Sequence, residues 1–277
     1  MNEIVKYDNY MNGLKFTGFT TTDFNFLMLL CSKMRDKDVA EMTISFEELR
    51  KKTGYTRTSI QKFRTDLERM NEKLMSVTCK LKTETRTLMF VLFPTFDIDV
   101  ESQTLTVCVN EKFKFILNEL LKNFTRFNLE EFINLDSKYS KSLYRLLKQF
   151  KITGKLDITL NDFRNKMDIP ASYTNKDVMS KVINPSLKEL QKYFIDLQCI
   201  AKYARKRGKP VEGYIFIFEP EQPLEAITSV AEKHTPVNKY QQAKPQYKHK
   251  QNQFDQFMQR GVSQEELDGL KRELLKH

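Results

Sequence analysis

The sequence predicts an α+β protein in which two winged-helix domains follow one another and a disordered C-terminal tail ends the chain. The first observation behind this prediction is an internal repeat. Ile44–Lys52 returns 114 residues later as Ile158–Lys166, and Leu67–Cys79 returns at an offset of 120 as Leu187–Cys199, with the apolar positions in phase. A period of this length is that of a domain, not of a solenoid unit. We therefore expect a first repeat at residues 1–122, a second repeat at 123–220 and a tail at 221–277.

The second observation is the order of the elements, which is helix, strand, short helix, longer helix and hairpin. In the first repeat, a helix capped by Thr22 precedes a strand at Met42–Ser45 and a short helix at Phe46–Lys52, which Gly54 ends. A longer helix follows, with apolar residues at helical spacing from Ile60 to Leu74. Alternating runs then predict strands at Val77–Thr85, Leu88–Thr95 and Leu105–Val109.

The second repeat has the same order of elements. Its expected elements are a helix from Ser137, a strand at Leu156–Thr159, a short helix at Leu160–Met167, a helical segment at Lys176–Tyr193, and strands at Ile195–Tyr203 and Val211–Phe218. The ring of Pro185 opposes a continuous helix, so we expect a kink or break near Asn184. In a winged helix the longer helix enters the DNA major groove and the hairpin wing touches the backbone. Winged helices also serve as protein-interaction modules.

The charge is concentrated in one repeat. The chain carries a net charge of +10, and residues 121–220 hold 19 basic and 11 acidic side chains, against 18 and 17 in residues 1–120. A basic excess confined to one domain favours a polyanionic partner such as DNA. The alternative is a lysine-rich solvated surface.

Several classes of function lack their sequence signals. There is no Walker loop, and the three histidines (His234, His249 and His277) all lie in the tail, which argues against a zinc site with histidine ligands and against a Ser-His triad. The residues leave an all-carboxylate metal site open, but no spacing points to one. The four cysteines are far apart, no apolar run is long enough to cross a membrane, and the N-terminus lacks a signal-peptide apolar region. We expect a cytoplasmic, non-enzymatic protein without a cofactor, a metal or a membrane.

Helical phase selects DNA-facing candidates in the first repeat. Arg57, Gln61 and Arg64 are spaced i, i+4, i+7 and share one face of the longer helix. Arginine reads guanine and glutamine reads adenine through paired hydrogen bonds. An ordinary exposed face is the alternative. The predicted DNA-binding residues of this repeat are Arg57, Gln61, Lys62 and Arg64.

The second repeat offers a larger set. Three side chains project away from the apolar residues of the longer helix, the preceding turn supplies hydroxyls and an amide for phosphates, and the hairpin crowds basic residues that repel one another unless an anion is present. These residues are Lys176, Ser180 and Lys181; Tyr173, Thr174 and Asn175; and Arg205, Lys206, Arg207 and Lys209. Phosphate contacts give affinity and salt sensitivity, not sequence choice.

Longer motifs resemble a known family. Ser137–Phe150 is similar to the S-K-Y-S-x-x-L-Y-x-L-L helix of the iteron-binding Rep proteins, the replication initiators of theta-replicating plasmids. Val182–Leu190, Arg207–Val211 and Phe216–Phe218 resemble further segments of that family in the same order. The resemblance covers about residues 4–220. It implies two winged helices that bind repeated origin sequences, with the second domain reading the major groove and the first supporting it or forming a repressing homodimer.

The tail carries a shorter likeness. Asn252–Arg260 resembles a terminal motif of replication proteins from phages and plasmids of low-GC bacteria, and Ser263 with Glu266 forms a capping box for a short helix. The residues expected to dock a host helicase loader or primosome component are Phe254, Phe257, Leu267 and Leu270. Incidental aromatics in a solvated tail are the alternative.

Three functions follow from these observations. The first is a non-enzymatic initiator of plasmid replication that binds directly repeated sites, helps to open the origin, recruits host replication proteins and represses its own promoter. The second is a dimeric winged-helix transcriptional regulator that acts at an inverted repeat. The third is a winged-helix scaffold that binds only proteins.

Overall fold

The structure is a computed structural model that describes residues 3–35, 41–56, 59–82, 87–110, 117 and 124–221. In the first repeat the chain forms β1 (Ile4–Asp8), a 3-10 turn (Asn9–Gly13), α1 (Thr21–Met34), β2 (Glu41–Ser45), α2 (Phe46–Thr53), α3 (Ile60–Ser76), β3 (Thr78–Lys82), β4 (Thr87–Val91), β5 (Thr95–Asp99) and β6 (Thr104–Cys108). The second repeat forms β7 (Phe124–Asn128), α4 (Leu129–Ile133), α5 (Lys138–Gln149), β8 (Lys155–Thr159), α6 (Leu160–Lys166), β9 (Gln198–Tyr203) and β10 (Val211–Ile217). Between α6 and β9 a helix, α7, runs through Asn175–Asp177, Val178–Ile183 and Asn184–Leu190.

The first repeat packs helices against an antiparallel sheet of strand order β2-β6-β5. Its core includes Phe46 and Phe63, whose rings meet edge to face at 5.2 Å, and Leu105 from the central strand. α2 ends at Gly54, whose φ of 68° is the left-handed conformation that glycine adopts without strain. The predicted end of α2 is therefore confirmed.

Three details of the first repeat differ from the expectation. Thr20, not Thr22, caps α1, because its hydroxyl accepts from the Asp23 amide in a reciprocal capping box. Ile60 was assigned to the apolar stripe of α3, but it is 40% exposed at the first turn. β5 was not predicted, because the acidic residues at every second position left no long apolar run.

The second repeat packs its helices on a sheet of order β8-β10-β9. Phe163 of α6 lies against Tyr214 and Phe216 of the central strand, with ring centroids 5.0 and 5.8 Å apart. Gly213 is required where β10 passes β8, since a Cβ there would lie 2.3 Å from the Ile158 carbonyl oxygen. The strands and helices predicted for this repeat are present within a few residues of their expected bounds.

Of the kink or break expected near Asn184, the break is absent. α7 stays helical through Pro185, and its middle segment, Val178–Ile183, is a π-helix in which the Asn184 amide donates to the Met179 carbonyl. The wider turn shifts the apolar phase along the helix. The phase slip seen in the sequence therefore comes from a change of helix type.

A two-stranded ladder that the sequence did not predict connects the two repeats. β1 pairs antiparallel with β7, from Ile4 opposite Asn128 to Asp8 opposite Phe124. The described residues through Cys79 and from Met89 to Glu221 form one compact unit, and the described residues among 80–88 belong to a second unit. All four cysteines are free; Cys31 and Cys79 are buried, and Cys108 and Cys199 are half-buried. Among the described helices, none is long and apolar enough to cross a membrane.

Candidate nucleic-acid interface

α7 presents a polar, basic face to solvent. Val178, Val182 and Ile183 are buried on one side, and the predicted Lys176, Ser180 and Lys181 are exposed on the other, as the helical phase indicated. Asn184 and Lys188 are also exposed. These two were not among the predicted residues because a kink or break was expected near Asn184, whereas the helix continues past the π-helical segment.

The start of α7 is held by its own side chains. Thr174 is the N-cap, and its hydroxyl donates to Asp177 Oδ2 at 2.7 Å while it accepts from the Asp177 amide. Lys181 Nζ lies 2.7 Å from Asp177 Oδ1 and 5.0 Å from the centre of the Tyr173 ring. The hydrogen bond from Lys181 is the largest of the effects that lower the pKa of Asp177. The Thr174 hydroxyl, predicted as a phosphate donor, is thus already engaged in capping.

An arginine that the sequence analysis did not single out positions the turn before α7. Arg164 of α6 donates from Nη2 to the Tyr173 carbonyl at 2.6 Å and to the Pro170 carbonyl at 3.3 Å. It aligns with Arg50 of α2 at the 114-residue offset. The repeat alignment was the available signal, since it places the same residue type at the same turn of both short helices.

The hairpin between β9 and β10 forms a basic wing. Arg205, Lys206, Arg207 and Lys209 are all exposed, and within the described part of the chain none of them pairs with a carboxylate. The turn closes by hydrogen bonds from the Ala204 amide to the Pro210 carbonyl and from the Lys209 amide to the Lys206 carbonyl, both 2.9 Å. These charges share one short turn, so a bound anion would relieve their mutual repulsion. Lys202, nearer the sheet, is instead paired with Asp157 at 2.7 Å.

The corresponding face of α3 is largely neutralised. Gln61, Lys62 and Arg64 are exposed as predicted, but Arg64 Nε lies 2.8 Å from Glu68 Oε1 and Lys62 Nζ lies 3.5 Å from Asp66 Oδ1. A DNA phosphate would have to compete with these carboxylates. Arg57 lies outside the described residues, and so do the tail residues Phe254, Phe257, Leu267 and Leu270.

No metal centre accompanies this surface in the described residues, where no group of three or more His, Cys, Asp or Glu side chains could hold an ion. An open surface pocket lies between the start of α6 and the sheet, where Arg164, Lys202 and Glu212 contribute to its wall.

Two family models match the chain in tandem. Residues 4–148 match the model described as "Initiator Replication protein, WH1", and residues 159–218 match "Initiator Rep protein, WH2". The chain belongs to this family of replication initiators. WH1 and WH2 are its two winged-helix domains, so the predicted fold class and the resemblance to Rep initiators are confirmed. The first matched region extends over β1, β7 and most of α5.

Individual relatives agree with the family. The initiator is 32% identical over 225 residues to a "Probable replication protein rep" of Bifidobacterium longum, covering 80% of this chain and 74% of the relative. It is 28% identical over 124 residues to a "Replication initiation protein" of Escherichia coli, covering 43% and 38%. Its fold resembles that of the Pi initiator protein crystallised in complex with iteron DNA, with a TM-score of 0.60 and 12% identity over 80% of this chain and 99% of the other.

Proposed function

We propose that this initiator starts plasmid replication by binding directly repeated sites, iterons, in double-stranded origin DNA. The observation that carries the proposal is the concentration of exposed basic side chains on α7 and the wing of one repeat, of which, among the described residues, only Lys181 pairs with a carboxylate. Membership of the replication-initiator family supports it, as does the likeness of the fold to that of an initiator crystallised with iteron DNA.

The proposed roles of the two domains in DNA binding follow from the exposed face of α3 in the first and of α7 in the second. Residues 123–220 act as the main DNA-binding domain, with α7 in the major groove, where Ser180 and Asn184 can reach base edges. Lys176, Lys181, Lys188 and the wing contact phosphates. Residues 1–122 add a smaller contact through Gln61 and Arg64, because Arg64 and Lys62 already pair with carboxylates. The same residues form the homodimer that represses the promoter of the protein's own gene.

Later steps depend on other molecules. We infer that the bound initiator helps to open the adjacent DNA and that residues 221–277 recruit a host replication protein through Phe254, Phe257, Leu267 and Leu270. We further propose that these steps require binding and assembly alone, without catalytic residues of the protein's own, and that they take place in the bacterial cytoplasm.

A titration of labelled origin DNA at several salt concentrations tests the proposal. Contacts to about six phosphates give a slope of about −5 in log K against log salt concentration. A duplex with the same half-sites arranged as an inverted repeat is the matched probe for the alternative, a dimeric transcriptional regulator. Preference for the inverted repeat would favour the regulator, and equal binding to random DNA with a flat salt response would exclude both.

A further inference from the structure

A guanidinium lies buried where the two repeats meet. Arg145 of α5 is 4% exposed. Its Nε donates to the Tyr7 hydroxyl at 3.1 Å and its Nη2 donates to the Met11 carbonyl at 2.9 Å. In the described part of the chain, no carboxylate forms an ion pair with it. The first helix of the second repeat is therefore bonded to the first residues of the chain through a buried charge.

Three aromatic rings of the first repeat surround this charge. The guanidinium carbon lies 4.7 Å from the centre of the Phe16 ring and 5.8 Å from those of Tyr7 and Phe24. Ring faces stabilise a cation in place of water or a counter-ion. Because Phe24 lies in the first turn of α1, the arrangement ties the beginning of α1 to the middle of α5.

A second set of directional bonds lies beside the guanidinium. Asn12 is buried, and its Nδ2 donates to Thr125 Oγ1 at 2.8 Å and to Gln149 Oε1 at 3.0 Å. Its Oδ1 accepts from the Tyr7 hydroxyl at 3.1 Å. Burial raises the pKa of Tyr7 to about 12, so the neutral phenol can donate to Asn12 while it accepts from Arg145. Tyr7 thus connects the guanidinium with the Asn12 bonds.

The energetics argue for a role beyond stability. Burying a charge without a counter-ion is expensive, and apolar residues of similar volume at such sites are often as stable or more stable. Apolar contacts tolerate small rotations because the hydrophobic effect is not directional. A guanidinium that must contact a hydroxyl, a carbonyl and three ring faces at once tolerates few such rotations. Arg145 therefore restricts the angle between α1 and α5 more than it contributes net stability.

We propose that Arg145 is a positioning residue that holds the first repeat (residues 1–122) and the second repeat (residues 123–220) at one relative orientation, so that the initiator accepts only DNA in which the segments contacted by the two repeats have one spacing. The inference rests on the proposed function, because it requires both domains to contact the same site. The selectivity for spacing would then come from the contact between the two repeats and would need no contact with a base.

The test measures affinity against spacing. Wild-type protein binds duplexes in which 0, 1, 2 or 3 base pairs are inserted at the centre of the protected site. Two base pairs rotate one half by about 70° and move it by about 7 Å relative to the other. We expect the wild type to lose on the order of 100-fold in affinity on this insertion, because a rigid protein must abandon several phosphate contacts.

Arg145→Met keeps the aliphatic volume and removes the guanidinium. We expect it to lose less than about 10-fold on the same insertion, because the two domains can then adjust to the new spacing. Arg126→Met is the matched control, since Arg126 is exposed on the neighbouring β7, and it should keep the wild-type spacing dependence. Equal weakening of Arg145→Met at every spacing would mean that Arg145 is only structural and would overturn the proposal.

A milder variant guards against misfolding. If circular dichroism shows that Arg145→Met is not folded, Tyr7→Phe decides, because it preserves the packing and removes only the hydroxyl that joins Arg145 to Asn12. An intermediate spacing dependence supports the proposal, and an unchanged one overturns it. If the wild type binds the site equally at all spacings, this inference is wrong and the proposed function is unaffected. If the wild type prefers no site over random DNA, the proposed function itself is wrong.

Discussion

The wing makes the sharpest prediction about DNA binding. Replacing Arg205, Lys206 and Arg207 with alanine removes three exposed charges that have no acidic partner among the described residues. Each phosphate contact contributes about −0.9 to the slope of log K against log salt concentration, so the slope should change from about −5 to about −2 or −3. The same relation gives a loss of affinity on the order of 100-fold at 0.15 M salt, which shrinks towards zero on extrapolation to 1 M.

The assay is fluorescence anisotropy with labelled origin duplex at five salt concentrations. The control replaces Lys15, Arg126 and Lys155 with alanine. These three residues are exposed, and their replacement removes the same total charge. Lys155 pairs with Ile217, at the end of the sheet opposite the wing. The control should shift affinity weakly and leave the slope near its wild-type value. If the plots of log K against log salt concentration were parallel for the wing variant and the wild type, the reasoning would be refuted, because the loss of charges that contact phosphate must change the slope.

Three further predictions concern stability and the tail. Burial lowers the pKa of Lys141 to about 7, so between pH 7 and pH 10 the unfolded chain holds a proton that the folded protein lacks, and the free energy of unfolding should rise with pH by a few kcal/mol. Urea unfolding at pH 7 and pH 9 should show this rise for the wild type and not for Lys141→Met, and parallel profiles would contradict it. Gly213→Ala should destabilise by about 3 kcal/mol, because its Cβ would meet the Ile158 carbonyl, whereas Gly208→Ala, with nothing within 4 Å, should cost only about 1 kcal/mol for its positive φ; equal thermal shifts for the two variants would count against this account. Removal of residues 252–277 should leave the affinity for origin DNA unchanged and lower plasmid copy number in the host, and a normal copy number would refute the proposed role of the tail.

Much of the fold could be predicted from local patterns. Gly54 ends α2, Ser137 caps α5, and the alternation in β8 and β10 gave their bounds within a few residues, because caps and hydrophobic periods depend on near neighbours. Local patterns failed where helix geometry changed. The apolar slip before Pro185 was visible in the sequence, but a π-helical segment and a break produce the same slip.

The sequence predicted which residues of the candidate site are exposed, but not which of their charges are paired with nearby carboxylates. Counting charges placed the basic excess in the second repeat, and helical phase placed Lys176, Ser180 and Lys181 on the exposed face of α7. The structure adds Arg64 beside Glu68 and Lys181 beside Asp177, which decide how much positive charge each helix offers to DNA. Each pair is four residues apart, so spacing alone permitted the contact, but side-chain orientation decides whether it forms.

The sequence by itself determined that one domain occurs twice, that the second occurrence carries the charge, and which helix of each repeat faces solvent with polar residues. Those properties are sums or periods along the chain. Only the tertiary structure decided that β1 pairs with β7 and that Arg145 lies buried against Tyr7, Phe16 and Phe24. Asn12 and Thr125 are 113 positions apart, and such a contact leaves no period or cap in the sequence. In the sequence Arg145 is one basic residue on a basic helix, and its burial depends on a segment that folds against it from the other end of the chain.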